Sequence, residues 1–270
     1  FGADKRSRDV YLPDCFGFGY ALPSIAAHSN LLGFSTQKLS WGHSFENGLP
    51  FDIGNWYGPD GESIVANINL NGYVSEVGTV RGDSGLLSKL NQNKAYGYSA
   101  ASRLFGVGDM GGASGWTTVS NVLGEQALND SEKVKVIGAT TDQLFREMTE
   151  EERSGLPSYD GEMVMREHGV GGYTSRAISK RWNRQSELMG DNAERSLVAS
   201  TWLGATEYPQ EKLTEAWTRV IAHQFHDDIP GTSTGTVYNR SWNDYMLSIK
   251  QFAAEYENGV DGVASEMDTL

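Results

Sequence analysis

Three stretches of this 270-residue chain combine residue types and spacings that could do chemistry. The first is Gln224-Phe225-His226-Asp227-Asp228-Ile229-Pro230-Gly231-Thr232, a histidine and two carboxylates at the end of a helical pattern, closed by Pro-Gly. Packing titratable groups side by side is costly unless something binds them. Imidazole nitrogen and carboxylate oxygen are both zinc donors. The plain alternative is an exposed acidic helix end, although acids there oppose the helix dipole. His223 and His226 form an H-x-x-H pair that could supply two ligands. It lacks the glutamate and the four-residue spacing of H-E-x-x-H, and a packing role suits His223 better.

The second stretch is Leu12-Pro13-Asp14-Cys15-Phe16-Gly17-Phe18-Gly19. An aspartate just after an apolar strand lies where α/β enzymes place catalytic carboxylates. Pro-Asp is equally common in simple turns. The third stretch is Gly106-Val107-Gly108-Asp109-Met110-Gly111-Gly112. Its glycines allow a backbone to approach a ligand while one carboxylate is displayed, and a plain flexible loop is the alternative. No Lys-Ser/Thr follows, so it is not a phosphate loop. Trp41, Trp56 and Tyr57 could stack on a sugar or fill a core, whereas Trp202, Trp217 and Trp242 sit at helical spacing and read as core. Two aspartates, a metal-competent histidine and loop aromatics suit sugar chemistry, in which a retaining glycosidase needs one carboxylate as nucleophile and another as acid/base.

These residues need elements to hold them. Before about Thr149 the chain reads as short apolar runs between glycine-rich turns. Asp9–Leu12, Gly33–Thr36, Ser63–Ala66 and Val134–Ile137 are expected strands. Ala21–Leu32 and Leu144–Met148 are expected helices. That alternation predicts an α/β unit with parallel strands and chemistry on the loops after strand C-termini. From about Glu162 the pattern becomes helical, with helices expected over Thr174–Thr201, Pro209–Phe225 and Asn239–Tyr256, a bundle by their amphipathic spacing. The domain boundary falls near Ser154-Gly155-Leu156-Pro157, giving domains 1–155 and 156–270. The stretch from Asn258 reads as a frayed end.

Composition bounds the rest. Lys plus Arg number 22 against 35 Asp plus Glu, a net charge of −13, which argues against a nucleic-acid partner. No apolar run reaches the ~18–20 residues that cross a bilayer, so no membrane partner is expected. A single cysteine, Cys15, excludes an internal disulfide without fixing a compartment. The 32 glycines are well above the usual ~7% and fit loops that approach a ligand. The chain begins Phe1-Gly2, which reads as cut. Any signal peptide would lie upstream, so a cytoplasmic or a periplasmic or secreted location is equally open, as is homo-oligomerisation.

Four stretches together resemble glycoside hydrolase family 38, the zinc-dependent retaining α-mannosidases, in its bacterial and fungal branch: Tyr11–Pro23, Gly33–Trp41, Gly58-Pro59-Asp60-Gly61 and Gln224–Thr232. Gly161–His168 and Tyr173–Arg184 resemble the start of that family's middle domain, and the likeness runs from about Asp9 to Phe252. The resemblance implies part of a seven-stranded α/β barrel followed by a three-helix bundle. It implies Asp14 as nucleophile and zinc ligand, His226 as a second zinc ligand, Asp109 as acid/base, and Asp227, Lys38 and Trp56 as substrate contacts. The substrate implied is a mannose-containing oligosaccharide or glycan. Met110 and Ala113 depart from the glycine-rich pattern around the acid/base position.

The family takes two further zinc ligands from a His-x-Asp strand. The one His-x-Asp here is His226-Asp227-Asp228, so that strand is expected upstream of Phe1 and the chain reads as a central piece of a larger enzyme. A non-catalytic carbohydrate-binding protein of the same fold, and an unrelated zinc hydrolase using His223 and His226, are the rival readings.

Overall fold

A computed structural model describes residues 6–267. They divide into two compact units, one up to Val170 and one from Gly171. The expected boundary near Ser154-Gly155-Leu156-Pro157 falls within the first unit. There the chain enters a strand, Ser158–Asp160, that completes the first unit's sheet.

That sheet has the spatial order β1 (Asp9–Tyr11), β2 (Gly33–Ser35), β4 (Ser63–Asn67), β3 (Ile53–Tyr57), β7 (Ser158–Asp160). β1, β2 and β4 are mutually parallel, β3 runs antiparallel to β4, and β7 runs parallel to β3. The carboxyl ends of β1, β2 and β4 therefore share one end of the sheet. β2 and β4 are almost wholly buried, as expected for strands covered on both faces. α1 (Leu22–His28) joins β1 to β2. Phe18, Phe34, Trp56, Ile64 and Met163 form the centre of the core.

A separate two-stranded ladder pairs β5 (Val74–Ser75) with β6 (Gly106–Val107). Between them lies α2 (Ser84–Ala95), started by Asp83, whose carboxylate accepts from Leu86 N at 3.0 Å. α3 (Trp116–Ala127), α4 (Gln143–Glu147) and α5 (Glu150–Gly155) follow; Thr149 and Glu152 form a reciprocal capping box on α5. The fold is thus mixed α/β with an open sheet. Among the described residues no ladder joins β1 to β7, and no single seven-stranded barrel closes.

Val134–Ile137 is not a strand. Its backbone groups are met by side chains instead of a ladder: Val136 N donates to Asn129 Oδ1 at 2.8 Å, and Val136 O accepts from Asn129 Nδ2 at 2.7 Å. Arg81 Nε takes Val134 O at 2.8 Å.

The second unit is three helices, α6 (Ala177–Trp202), α7 (Gln210–Ala222) and α8 (Gly235–Ser265). Buried positions on α6 and α8 alternate in steps of three and four: Ser179, Asn183, Ser186, Gly190, Ala193, Leu197, Ser200 on one, and Ser241, Tyr245, Ser248, Phe252, Glu255, Gly259, Gly262 on the other. That is the seam of a coiled coil, here lined with small residues that let the backbones approach. It carries α8 past Asn258, where fraying was expected, because a Cβ on Gly259 would lie 2.8 Å from Leu197 N. Trp202 departs from the expected core at 86% exposure. Trp217 and Trp242 are half-buried, their indoles donating to Glu194 Oε1 at 2.6 Å and Ser179 Oγ at 2.8 Å. No helix among the described residues is long and apolar enough to cross a membrane.

Candidate active site

The first unit gathers its polar groups at the shared end of the parallel strands. The chain leaves β1 through Pro13 to Asp14, with Leu12 N still bonded to Ser35 O at 3.0 Å. It leaves β2 through Thr36, whose N donates to Asn67 O at 3.1 Å, and turns at once into a short 3-10 helix, Lys38–Trp41. The tight turn aims Lys38 back at Asp14: Nζ donates to Oδ1 at 2.6 Å, with side-chain exposures of 7% and 12%. Gln37 Nε2 approaches the same oxygen at 3.4 Å, and Trp41 Nε1 holds Gln37 Oε1 at 2.9 Å. The Lys38 ammonium also lies over the rings of Trp41, at 4.2 Å, and Phe16, at 5.0 Å. Lys38 and Asp14 thus make a short, largely buried charge-assisted contact.

The third strand end, beyond Asn67, supplies a residue that the sequence reading missed. Tyr73 OH donates to Asp14 Oδ2 and lies 3.2 Å from Asp109 Oδ1. The β5–β6 ladder makes the meeting possible. Val74 pairs with Val107, so Tyr73, just before β5, faces the Gly108-Asp109 turn just after β6. Gly108 N donates to Tyr73 O at 3.3 Å, with φ at 62° in the left-handed region that favours glycine. A Cβ on Gly106 would lie 2.9 Å from Tyr73 O. Burial first, then the hydrogen bond to Asp14, pushes the Tyr73 hydroxyl well above its ordinary pKa, so it stays a donor. The signal available in sequence was only a tyrosine beginning a short β-prone stretch, Tyr73-Val74-Ser75; nothing local linked it to Asp109, 36 residues on.

Trp56 stands apart from its expected role. It is wholly buried, packed on Phe34 at 5.2 Å between centroids, and its indole N–H donates to Gly161 O at 2.8 Å. It builds the core under the site and has no open face for a sugar. Trp41 is half exposed at the site's edge.

His226 and Asp227 belong to the second unit. They lie in turns just beyond α7, where Asp228 N returns to Phe225 O and Gly231 N to Asp228 O, both at 2.9 Å. Gly231 closes the turn at φ 92°, with Ser175 Oγ 2.7 Å from where a Cβ would sit. Phe225 packs on the His226 ring at 4.2 Å. Asp227 Oδ1 accepts from Thr232 Oγ1 at 2.9 Å and the carboxylate is partly exposed. His223 commits both ring nitrogens to carboxylates, Nδ1 to Asp228 at 2.7 Å and Nε2 to Asp244 at 3.0 Å. The H-x-x-H pair is therefore not a ligand pair.

Zinc, which the family resemblance implies, meets an incomplete donor set. Among the described residues no three His, Cys, Asp or Glu side chains gather as a metal site would need. The Asp14 carboxylate is turned toward a lysine. The residues present do not by themselves fit the ion.

Comparison with known proteins agrees with this architecture. Residues 1–162 match the glycosyl hydrolases family 38 N-terminal domain, and residues 169–261 match the α-mannosidase middle domain. α-Mannosidase G of Dictyostelium discoideum is 28% identical over 98% of this chain and 24% of its own length. An α-mannosidase of Saccharomyces cerevisiae is 29% identical over 86% of this chain and 22% of its own length. The chain thus spans under a quarter of these curated relatives. The crystal structure of an α-mannosidase from Enterococcus faecalis V583 shares the fold over 97% of this chain and 30% of that one, with a TM-score of 0.64 and 17% identity. Because the N-terminal family domain covers well over half of its residues and the middle domain most of the remainder, the chain belongs to glycosyl hydrolase family 38.

Proposed function

We propose that this chain supplies the carboxylate machinery of a retaining α-mannosidase acting on mannose-containing glycans, its open sheet being part of the family's barrel. The observation that carries the reading is the Asp14–Tyr73–Asp109 relay. Two carboxylates that share one hydroxyl lie at most about 6 Å apart, two hydrogen-bond lengths. That is the range of retaining pairs, not of the ~6.5–9.5 Å inverting pairs that must admit a water.

The roles follow from the donors. Lys38 holds Asp14 in a charge pair, and Asp14 attacks the anomeric carbon and forms the glycosyl-enzyme. Tyr73 has one hydroxyl hydrogen and directs it at Asp14. A protonated Asp109 then has Tyr73 Oη as its acceptor, and it is this proton that passes to the departing glycosidic oxygen. Ionised after that transfer, Asp109 takes a proton from the water that releases mannose. Asp227 is assigned to sugar hydroxyls and His226 to the metal that the family uses. The donors among the described residues do not complete a zinc site.

The test is a mechanism-based fluorinated mannoside incubated with the full-length protein, followed by peptide mass spectrometry. Label on Asp14, lost in Asp14→Asn, supports the reading. Label on another carboxylate removes it. A second reading, a carbohydrate-binding protein of the same fold without a metal centre, is favoured by the lack of a three-donor cluster among the described residues. It predicts mannoside binding without turnover in protein supplied with zinc.

A further inference from the structure

The second unit holds a buried charge group that the sugar chemistry does not use. His223 closes the C-terminus of α7, its side chain 11% exposed. Its two ring nitrogens point at two different elements: Nδ1 at Asp228 Oδ2, 2.7 Å away in the turn after α7, and Nε2 at Asp244 Oδ2, 3.0 Å away on α8. Tyr245 of α8 packs on the ring at 5.4 Å, and Tyr245 OH approaches His223 O at 3.4 Å. The charged groups around it are Asp228 from the turn and Asp244 from α8. Glu187 of α6 approaches Gln224 Nε2 at 3.5 Å, and the Tyr245 hydroxyl is pushed up by burial and then by the negative charges of Asp228 and Glu187.

A neutral imidazole has one N–H and one lone pair. With a carboxylate oxygen facing each nitrogen, a neutral ring would set its lone pair against an acceptor inside a largely buried site, an arrangement that costs rather than binds. Both contacts become charge-assisted hydrogen bonds when both nitrogens carry protons. A cation here also completes the negative end of α7. We infer that His223 is a doubly protonated strut, a positioning residue that ties the turn carrying His226 and Asp227 to α8. The contact between His223 and Asp228 closes a loop of six residues. His226 and Asp227 lie within it, so the strut constrains their direction together with the Tyr238 hydroxyl of α8, which donates to Asp228 O at 3.0 Å.

What that direction does for a mannoside rests on the function proposed above; the strut itself does not. The test uses the whole chain labelled with 15N-histidine, at pH 7. The ring spectrum of His223 is expected to show both nitrogens protonated, and a single unprotonated nitrogen overturns the inference. His223→Gln is expected to shift the backbone amide signals of His226 and Asp227 while those at the Ala177 end of α6 stay in place. Unmoved signals at 226 and 227 also overturn it. Should His223→Gln fail to fold, Asp244→Asn serves: the Nε2 proton signal is expected to move or be lost to exchange while the Nδ1 proton persists. A ring spectrum identical to wild type sinks the inference.

Discussion

Lys38→Met tests whether the first unit is built around a charge pair. Methionine keeps the apolar stem that lies against Phe16 and Trp41 and removes only the ammonium. Asp14 is then left 12% exposed, with no cation in the place of the Nζ that stood 2.6 Å away. Removing one partner of a buried ion pair costs about 3–5 kcal/mol, because the remaining charge is stranded. The lower end applies, since Tyr73 and Gln37 still reach the carboxylate. A loss of ~3 kcal/mol lowers Tm by about 6–12 °C for a unit of this size. The double variant Asp14→Asn/Lys38→Met strands no charge and should regain most of the loss, so the double-mutant cycle should show coupling of about 2 kcal/mol. Thermal unfolding of the four proteins in metal-free buffer, with native-state amide exchange at Phe34 and Val65 to report on the first unit, supplies the numbers. If Lys38→Met changes stability by less than about 0.5 kcal/mol, or the two substitutions simply add, the pair behaves as a solvent-exposed one and the reasoning fails.

Under the proposed function, Tyr73→Phe should leave the fold intact and lower α-mannoside turnover by the full-length protein about 10- to 100-fold, the value of one hydrogen bond to a charged group; steady-state kinetics with kcat and KM separated would show it, and an unchanged kcat contradicts the relay. Asp60 is held down to about 2 by hydrogen bonds from Ser24 and then His28. A depressed folded-state value stabilises above the unfolded pKa and is lost as pH falls through the folded one. Wild type should therefore lose its advantage over Asp60→Asn between pH 4 and pH 2, read by denaturant midpoints across that range. Phe252→Ala empties the centre of the bundle, where the ring is wholly buried 4.9 Å from Trp217, and should cost about 3–5 kcal/mol in urea unfolding.

The parts of this molecule legible in sequence are those whose causes are local. Asp14 was readable because Pro13 ends an apolar run, and the long helices because Leu213, Ala216 and Val220 repeat at helical spacing. Val134–Ile137 misled because β-branched residues imply a ladder only if a partner strand exists, and here Asn129 stands in for one. Trp56 misled because a tryptophan near glycines reads the same on a core strand as on a loop. Tyr73 was invisible because its partners lie 59 residues before it and 36 after. The small-residue seam of α6 and α8 was hidden as well. Serines and glycines lower an amphipathic signal, although here they are what allows the close approach.

The two carboxylates of the site are anchored very unequally. Asp14 follows a strand within a five-stranded sheet, whereas Asp109 hangs from a ladder two residues long. Opening that ladder breaks few hydrogen bonds and leaves the sheet untouched, so the Asp109 arm is a separate, weaker cooperative unit. Amides at Val107 and Gly108 should exchange with solvent far sooner than those at Phe34. The Asp109 arm can swing aside while Asp14 stays in place, so its closing is a motion with its own rate, separate from any movement of the sheet.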